Sequence, residues 1–323
     1  MVLLILSLVF WTCKQTNERF EADLSTIKPP QIHILDYGKV LLNTESAKLV
    51  EALPRLQQKY PFFLQGDLDD TLNIIRLTKF INTDYIQDAK RQCEDEYPDF
   101  HSLEKHLSTL FQRNKYFFPD FVYPRVYTYI SGFDIERQVA NYDSVLTISM
   151  DMYLGKDYDA YHKMGFPAYK IRFFDKNYIL RDVADELNLF RIPRGKNFLE
   201  NAIAEGKRLI LLDALLPEVH DTIKIKYNAR KLNWIAAHEK ELWAFLIEND
   251  ILYSTDAKIL QKFFVDSPFT SYFGQESPAR LGQWLGWQIV RNYFDTHPDM
   301  PLAKFVSIED AQLILKQSNY HPQ

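Results

Sequence analysis

A chain of 323 residues, 46% of them hydrophobic, can bury a substantial core, and 43 acidic against 38 basic side chains leave a net charge of -5 with both signs interspersed. That balance argues against a nucleic-acid binder, and the small Lys224, Lys226, Arg230, Lys231 cluster reads as a solvated helix entry instead of a phosphate track. Only ten glycines occur, and neither a Walker loop nor a G-x-G-x-x-G is found, which argues against a nucleotide cofactor.

In chain order, the first feature is an apolar run from Val2 to Trp11, too short for the ~20 residues a membrane-spanning helix needs. It fits the apolar region of a secretory signal. The run ends at Cys13 and a polar stretch follows, so residues 1–12 read as a lipoprotein signal peptide and Cys13 as the lipidated first residue of the mature chain. No Lys or Arg precedes the run; a start upstream of Met1 would supply one. Residues 13–31, with Pro29-Pro30, read as a flexible tether. Several acyl chains, at ~0.8 kcal/mol per buried methylene, would hold the protein at a membrane. A lipidated Cys13 leaves Cys93 as an unpaired thiol.

Residues 32–323 read as a single globular domain, with a helical part at 32–120 and a second part at 121–323. A short strand is expected at 31–41 and helices at 46–60, 72–97 and 102–111. Asp67, Asp69 and Asp70 lack the remaining positions of a calcium loop and read as a helix-capping turn. Alternation in Val126, Thr128, Ile130 and in Leu146, Ile148, Met150 predicts strands at 124–132 and 144–154. Further strands are expected at 168–174 and, as an apolar buried run, at 208–215. Ser277-Pro278 is expected to open a helix running to Tyr293, in which Gly282 and Gly286 let another backbone come close. Ser307 with Asp310 resembles a capping box before a last helix at 311–316. The order of elements predicts an α+β fold, predominantly helical, with a small mixed sheet packed against helices.

The stretch from Trp234 to Trp243 carries the sharpest chemical signal. His238-Glu239 begins the zinc-protease helix motif H-E-x-x-H, but Leu242 stands where the second imidazole should be. A hydrocarbon has no lone pair for a metal. The segment is expected to form one helix with His238 and Glu239 inside an apolar stripe, where polar groups must find partners. A metal-dependent hydrolase would need Glu239 as base, His238 as one ligand and further ligands from Glu241, His220, Asp256 or Glu276.

Several phrases together resemble the gliding-motility lipoprotein family GldB of the Bacteroidota. They are Ser149 to Gly155, Leu212 to Pro217, the Trp234 segment, Leu252 to Asp256, Asp266 to Thr270 and, most specifically, Glu276 to Arg291. That family in turn looks distantly similar to zinc peptidases of the H-E-x-x-H class. The resemblance implies a zincin-like, catalytically degenerate fold with His238, Glu239 and Leu242 at the vestigial site and no cofactor or metal. It implies a non-catalytic envelope lipoprotein, periplasm-facing, that supports gliding motility and the associated secretion machinery by binding other proteins of that machinery. Phe269, Tyr272, Phe273 and Trp284 are candidates for the binding surface. The alternative is a metal-dependent peptidase around His238 and Glu239.

Overall fold

The computed structural model describes residues 20–322. Cys13 and the signal segment lie outside them. The part of the expected tether that is described is docked: Phe20 packs edge-on against Phe117 and Phe294, and Arg113 Nη2 donates to the Phe20 carbonyl at 3.0 Å. Gln112 Nε2 holds the carbonyls of Leu24 and Ile27 at 2.8 and 2.5 Å.

The strand expected at 31–41 shrinks to β1 (Leu35–Asp36), because the Asp36 carboxylate accepts the Lys39 N–H at 3.0 Å and starts α1 (Tyr37–Leu42). After α2 (Leu49–Lys59), Asp70 caps α3 (Thr71–Ile81) by accepting from Leu72 N at 2.8 Å, so the acidic turn is a cap. The helix expected at 72–97 breaks at Asn82-Thr83, where Thr83 Oγ1 bonds the Lys79 carbonyl at 2.7 Å, and α4 (Asp84–Glu96) begins anew. The next helix, α5 (His101–Phe117), runs past its expected end.

A four-stranded sheet adds β2 (Arg125–Tyr129), β3 (Val139–Tyr142) and β4 (Val145–Ser149) in the order β1-β2-β4-β3. β1, β2 and β4 run parallel, and β3 is an antiparallel edge strand joined to β4 by a two-residue turn with Asp143 at φ 55. The mixed sheet in a mostly helical α+β fold is as the sequence predicts.

The rest is helical: α6 (Asp159–Lys163), α7 (Ala168–Ile171), α8 (Ile179–Asn188), α9 (Phe198–Leu215), α10 (Asp221–Lys224), α11 (Ala229–Ala237), α12 (Glu239–Glu248), α13 (Ala257–Phe264), α14 (Leu281–Thr296), α15 (Leu302–Val306) and α16 (Ala311–Ser318). Two expected strands are therefore helices. Residues 168–174 begin with α7 directly after Pro167, and the apolar run 208–215 is the second half of α9, whose residues from Leu209 to Leu215 are all buried. A helix hydrophobic all round is one enclosed by the core, and its periodicity cannot be told from a buried strand.

α9 and α14 form the centre of the molecule, and glycine lets them touch through their backbones. A Cβ on Gly286 would lie 1.7 Å from the Ala202 carbonyl oxygen, and one on Gly206 would lie 2.2 Å from the Gly286 carbonyl oxygen. Gly282 faces the Phe264 ring. α14 starts three residues later than Ser277-Pro278 suggests, after Arg280 in the left-handed region at φ 57. Ser277 is used otherwise, donating to the carbonyls of Gly274 at 2.7 Å and Thr270 at 3.1 Å. Asp310, not Ser307, caps α16 by accepting from Leu313 N at 2.9 Å. Among the described residues no helix is long and apolar enough to cross a membrane.

Candidate functional site

The His238 segment differs from the single helix expected. The chain breaks at His238, which ends α11 and precedes α12 with φ -114 and ψ 16. Its ring stacks on Trp234 with centroids 4.1 Å apart, and its Nδ1 lies 2.7 Å from the Trp234 carbonyl. Glu239 turns the other way. Its Oε1 accepts from Tyr320 Oη at 2.6 Å and its Oε2 from Trp284 Nε1 at 2.9 Å, while burial, with the Glu239 charge adding, pushes the Tyr320 hydroxyl well above its ordinary pKa. Leu242 is 1% exposed and belongs to the core. Glu239 thus ties α12 to α14 and to the C-terminal residues.

The other candidate ligands are dispersed. His220 Nδ1 accepts from Thr222 N at 3.1 Å at the start of α10, Asp256 caps α13 through Lys258 N at 2.8 Å, Glu276 pairs with Arg230 at the surface, and Glu241 is exposed. Among the described residues no group of three or more His, Cys, Asp or Glu side chains is arranged to hold a metal ion.

Of the four aromatic candidates, Trp284 is buried and holds Glu239, which removes it from a surface role. Tyr272 is 41% exposed, with Lys262 Nζ 4.3 Å from its ring centroid, and it joins Phe273 through Phe245, the two ring contacts being 5.3 and 5.1 Å. Phe269 is half-buried, and its carbonyl accepts from Ser267 Oγ at 2.9 Å.

Two polar centres were not foreseen. In the first, Asp213 on α9 accepts four hydrogen bonds: from Lys224 Nζ at 2.9 Å, Arg291 Nη2 at 3.0 Å, Arg291 Nε at 2.9 Å and Trp287 Nε1 at 2.9 Å. Arg291 also clasps Asp221 at 2.8 and 3.0 Å and lies 3.6 Å over the Trp287 ring. Burial would raise the Asp213 carboxyl, but Arg291 and Lys224 outweigh it and hold it below the usual range. The phrases Leu212 to Pro217 and Glu276 to Arg291 thus meet at one buried knot. Ser149 to Gly155 does not enter that knot through its buried Asp151, which accepts instead from Ser131 N at 2.9 Å, Phe133 N at 2.7 Å and Ser149 Oγ at 2.8 Å.

The second centre floors a cavity of about 280 Å3 between β3 and α8. On α8, Arg181 Nη1 bonds Asp182 at 3.0 Å and Asp185 at 2.8 Å. Arg208 of α9 grips Asp185 at 3.0 and 2.6 Å and Glu205 at 3.0 and 3.1 Å, while Lys226 lies 2.7 Å from Asp182 and Tyr153 Oη donates to Asp182 at 3.0 Å. Three cations therefore face three carboxylates. Burial would raise Asp185, yet Arg181 and Arg208 hold it well below the usual carboxylate range. Arg181 Nε reaches the Lys224 carbonyl at 3.0 Å and joins the two centres. The spacing Arg181-Asp182-x-x-Asp185 was the available sequence signal, since i and i+4 side chains share a helix face.

A four-stranded mixed sheet joined through α8 to a glycine-matched helix pair, with buried ion-paired knots on α8 and α9, defines an α+β body. The profile of the gliding motility protein GldB matches residues 17–322, and the chain belongs to that family of gliding-motility lipoproteins. No match was found among curated proteins or among solved structures.

Proposed function

We propose that this chain is a non-catalytic cell-envelope lipoprotein that supports gliding motility and the associated protein secretion machinery through protein–protein interaction, tethered by lipid on Cys13. Family membership supplies the gliding role and the envelope association. The non-catalytic part rests chiefly on Glu239: both of its oxygens accept hydrogen bonds from groups that cross-link helices, and Leu242 offers no ligand. These two bonds give Glu239 a structural task, holding α12 to Trp284 of α14 and to Tyr320, which accounts for the carboxylate without a catalytic role.

The lattice on α8 supports the same reading. Guanidinium and ammonium groups occupy the space among the carboxylates where a divalent cation would have to bind, so the donor set does not fit zinc.

Glu239→Gln keeps an acceptor and the shape of the side chain. It is expected to cost about 1 kcal/mol in stability and to restore colony spreading to a strain lacking the protein. A folded Glu239→Gln protein that fails to restore spreading would favour chemistry over binding.

A further inference from the structure

Leu189 and Phe190 stand out of the surface where α8 gives way to the loop before α9, 44% and 69% exposed. Their exposure is built into the fold, because the chain is pinned on both sides of them. Leu187 is buried before them and Ile192 after them, Asn201 Nδ2 donates to the Gly195 carbonyl at 3.0 Å, and the Arg191 guanidinium lies over the Phe118 and Phe190 rings at 4.4 and 5.0 Å. Val122, also 69% exposed, shares with Phe190 the lining of a hollow of about 360 Å3. Large apolar side chains held out together mark a surface that is covered in use.

The loop is also cationic. Residues 189–196 include Arg191, Arg194 and Lys196 and no acidic side chain. Arg191 neutralises Asp120 of the hollow at 3.4 Å, while Arg194 and Lys196 are exposed and have no ion pair among the described residues.

This surface lies close to where the chain leads back toward Cys13. Phe20 packs on Phe117 with centroids 6.3 Å apart, the next residue, Phe118, carries Arg191, and Arg191 carries Phe190. Seven residues lead from Cys13 to Phe20, so a lipid on Cys13 keeps Phe20 within about 25 Å of the bilayer even with the chain fully extended. A globular chain of this length is about 50 Å across, so the far side of the body cannot be turned to the membrane.

We propose that the loop of residues 189–196, with Val122, is the face on which the protein rests on an anionic bilayer, Leu189, Phe190 and Val122 dipping among the headgroups while Arg194 and Lys196 meet lipid phosphates. Aromatic rings favour the headgroup level, and Lys or Arg beside them are drawn to anionic lipid. The assignment rests on the lipid tether at Cys13 proposed above and gives the tethered body an orientation.

The test places the full chain on vesicles of phosphatidylethanolamine and phosphatidylglycerol, with a fluorophore on Leu189→Cys or, for comparison, on Leu72→Cys at an exposed apolar site of α3, each in a Cys93→Ala background, and reads quenching by spin-labelled lipid. Quenching is expected at Leu189 and not at Leu72, and is expected to be lost with Phe190→Asp. Replacing Arg194 and Lys196 together with Ala is expected to lower the insertion equilibrium about tenfold or more on these vesicles, and to leave it unchanged on phosphatidylethanolamine with phosphatidylcholine. A label at Leu189 no more quenched than one at Leu72 overturns the proposal; if Phe190→Asp then still abolishes colony spreading, the loop docks on protein instead. A chain that does not float with the vesicles removes the lipid tether and the proposal together, whereas failure of Glu239→Gln would remove only the non-catalytic reading.

Discussion

Replacing Asp213 with Ala is expected to lower the unfolding free energy by about 3–5 kcal/mol, because it strands Lys224 and Arg291 without their shared carboxylate. The Lys224 and Asp213 side chains are 1% and 0% exposed, so water cannot take over the lost partner. Trp287 Nε1 would also lose its acceptor, leaving a buried donor unpaired. Set against the 5–15 kcal/mol typical of a folded protein, this is a large fraction. The loss has a pH signature. With its folded pKa held below the unfolded value of about 3.9, Asp213 contributes stability that is fully present above about pH 4 and is lost as pH falls through the folded value. Urea unfolding of wild type and variant should therefore differ widely at neutral pH and converge in acid. Equal urea midpoints at pH 7 would show that the knot carries no net stability.

Gly286→Ala is the second change with a large expected effect. The added methyl would sit 1.7 Å from the carbonyl oxygen of Ala202, a backbone atom of α9 that cannot swing aside. The two helices must separate, which opens the core around Leu285, Ile289 and Ile210 and exposes the Asp213 knot that they enclose. Overpacking costs typically 1–3 kcal/mol, and a clash against backbone belongs at or beyond about 3. Thermal unfolding followed by circular dichroism reads the loss. Gly155→Ala makes a comparison, since no atom lies within 4 Å of its would-be Cβ and its φ of +91 alone carries the strain. A Gly286→Ala protein melting with the wild type would contradict the close helix contact.

What was legible in the sequence follows from which physical signal each element carries. β2 and β4 announce themselves through alternating Val, Thr, Ile and Leu, and the Gly282-Gly286 spacing announces a backbone approach that α9 makes at Gly286. The second half of α9 does not, because Leu209 to Leu215 is buried on every side and carries no period of its own. β3 was missed: Val139-Ala-Asn-Tyr142 has little strand propensity, and its pairing with β4 depends on the Asp143-Ser144 turn. At His238 the stacking on Trp234 and the start of a second helix break a pattern that spacing alone reads as continuous. Glu239 was expected to need partners, and Trp284 and Tyr320 are those partners, 45 and 81 residues away along the chain. Single-chain spacing cannot pair residues so distant. The same holds for Asp213, Lys224 and Arg291, whose common purpose appears only when α9 and α14 cross.

Glu239, Asp213 and the α8 carboxylates Asp182 and Asp185 are engaged by protein donors, and we propose that they hold the fold and take no part in chemistry on a substrate. Native mass spectrometry of the purified full chain, carried out before and after addition of zinc, tests it most directly. The expected mass is that of the protein alone, with no retained divalent ion in either the wild type or His238→Ala. One tightly held divalent ion per chain that disappears in His238→Ala, in a preparation that also cleaves peptide bonds, would contradict it.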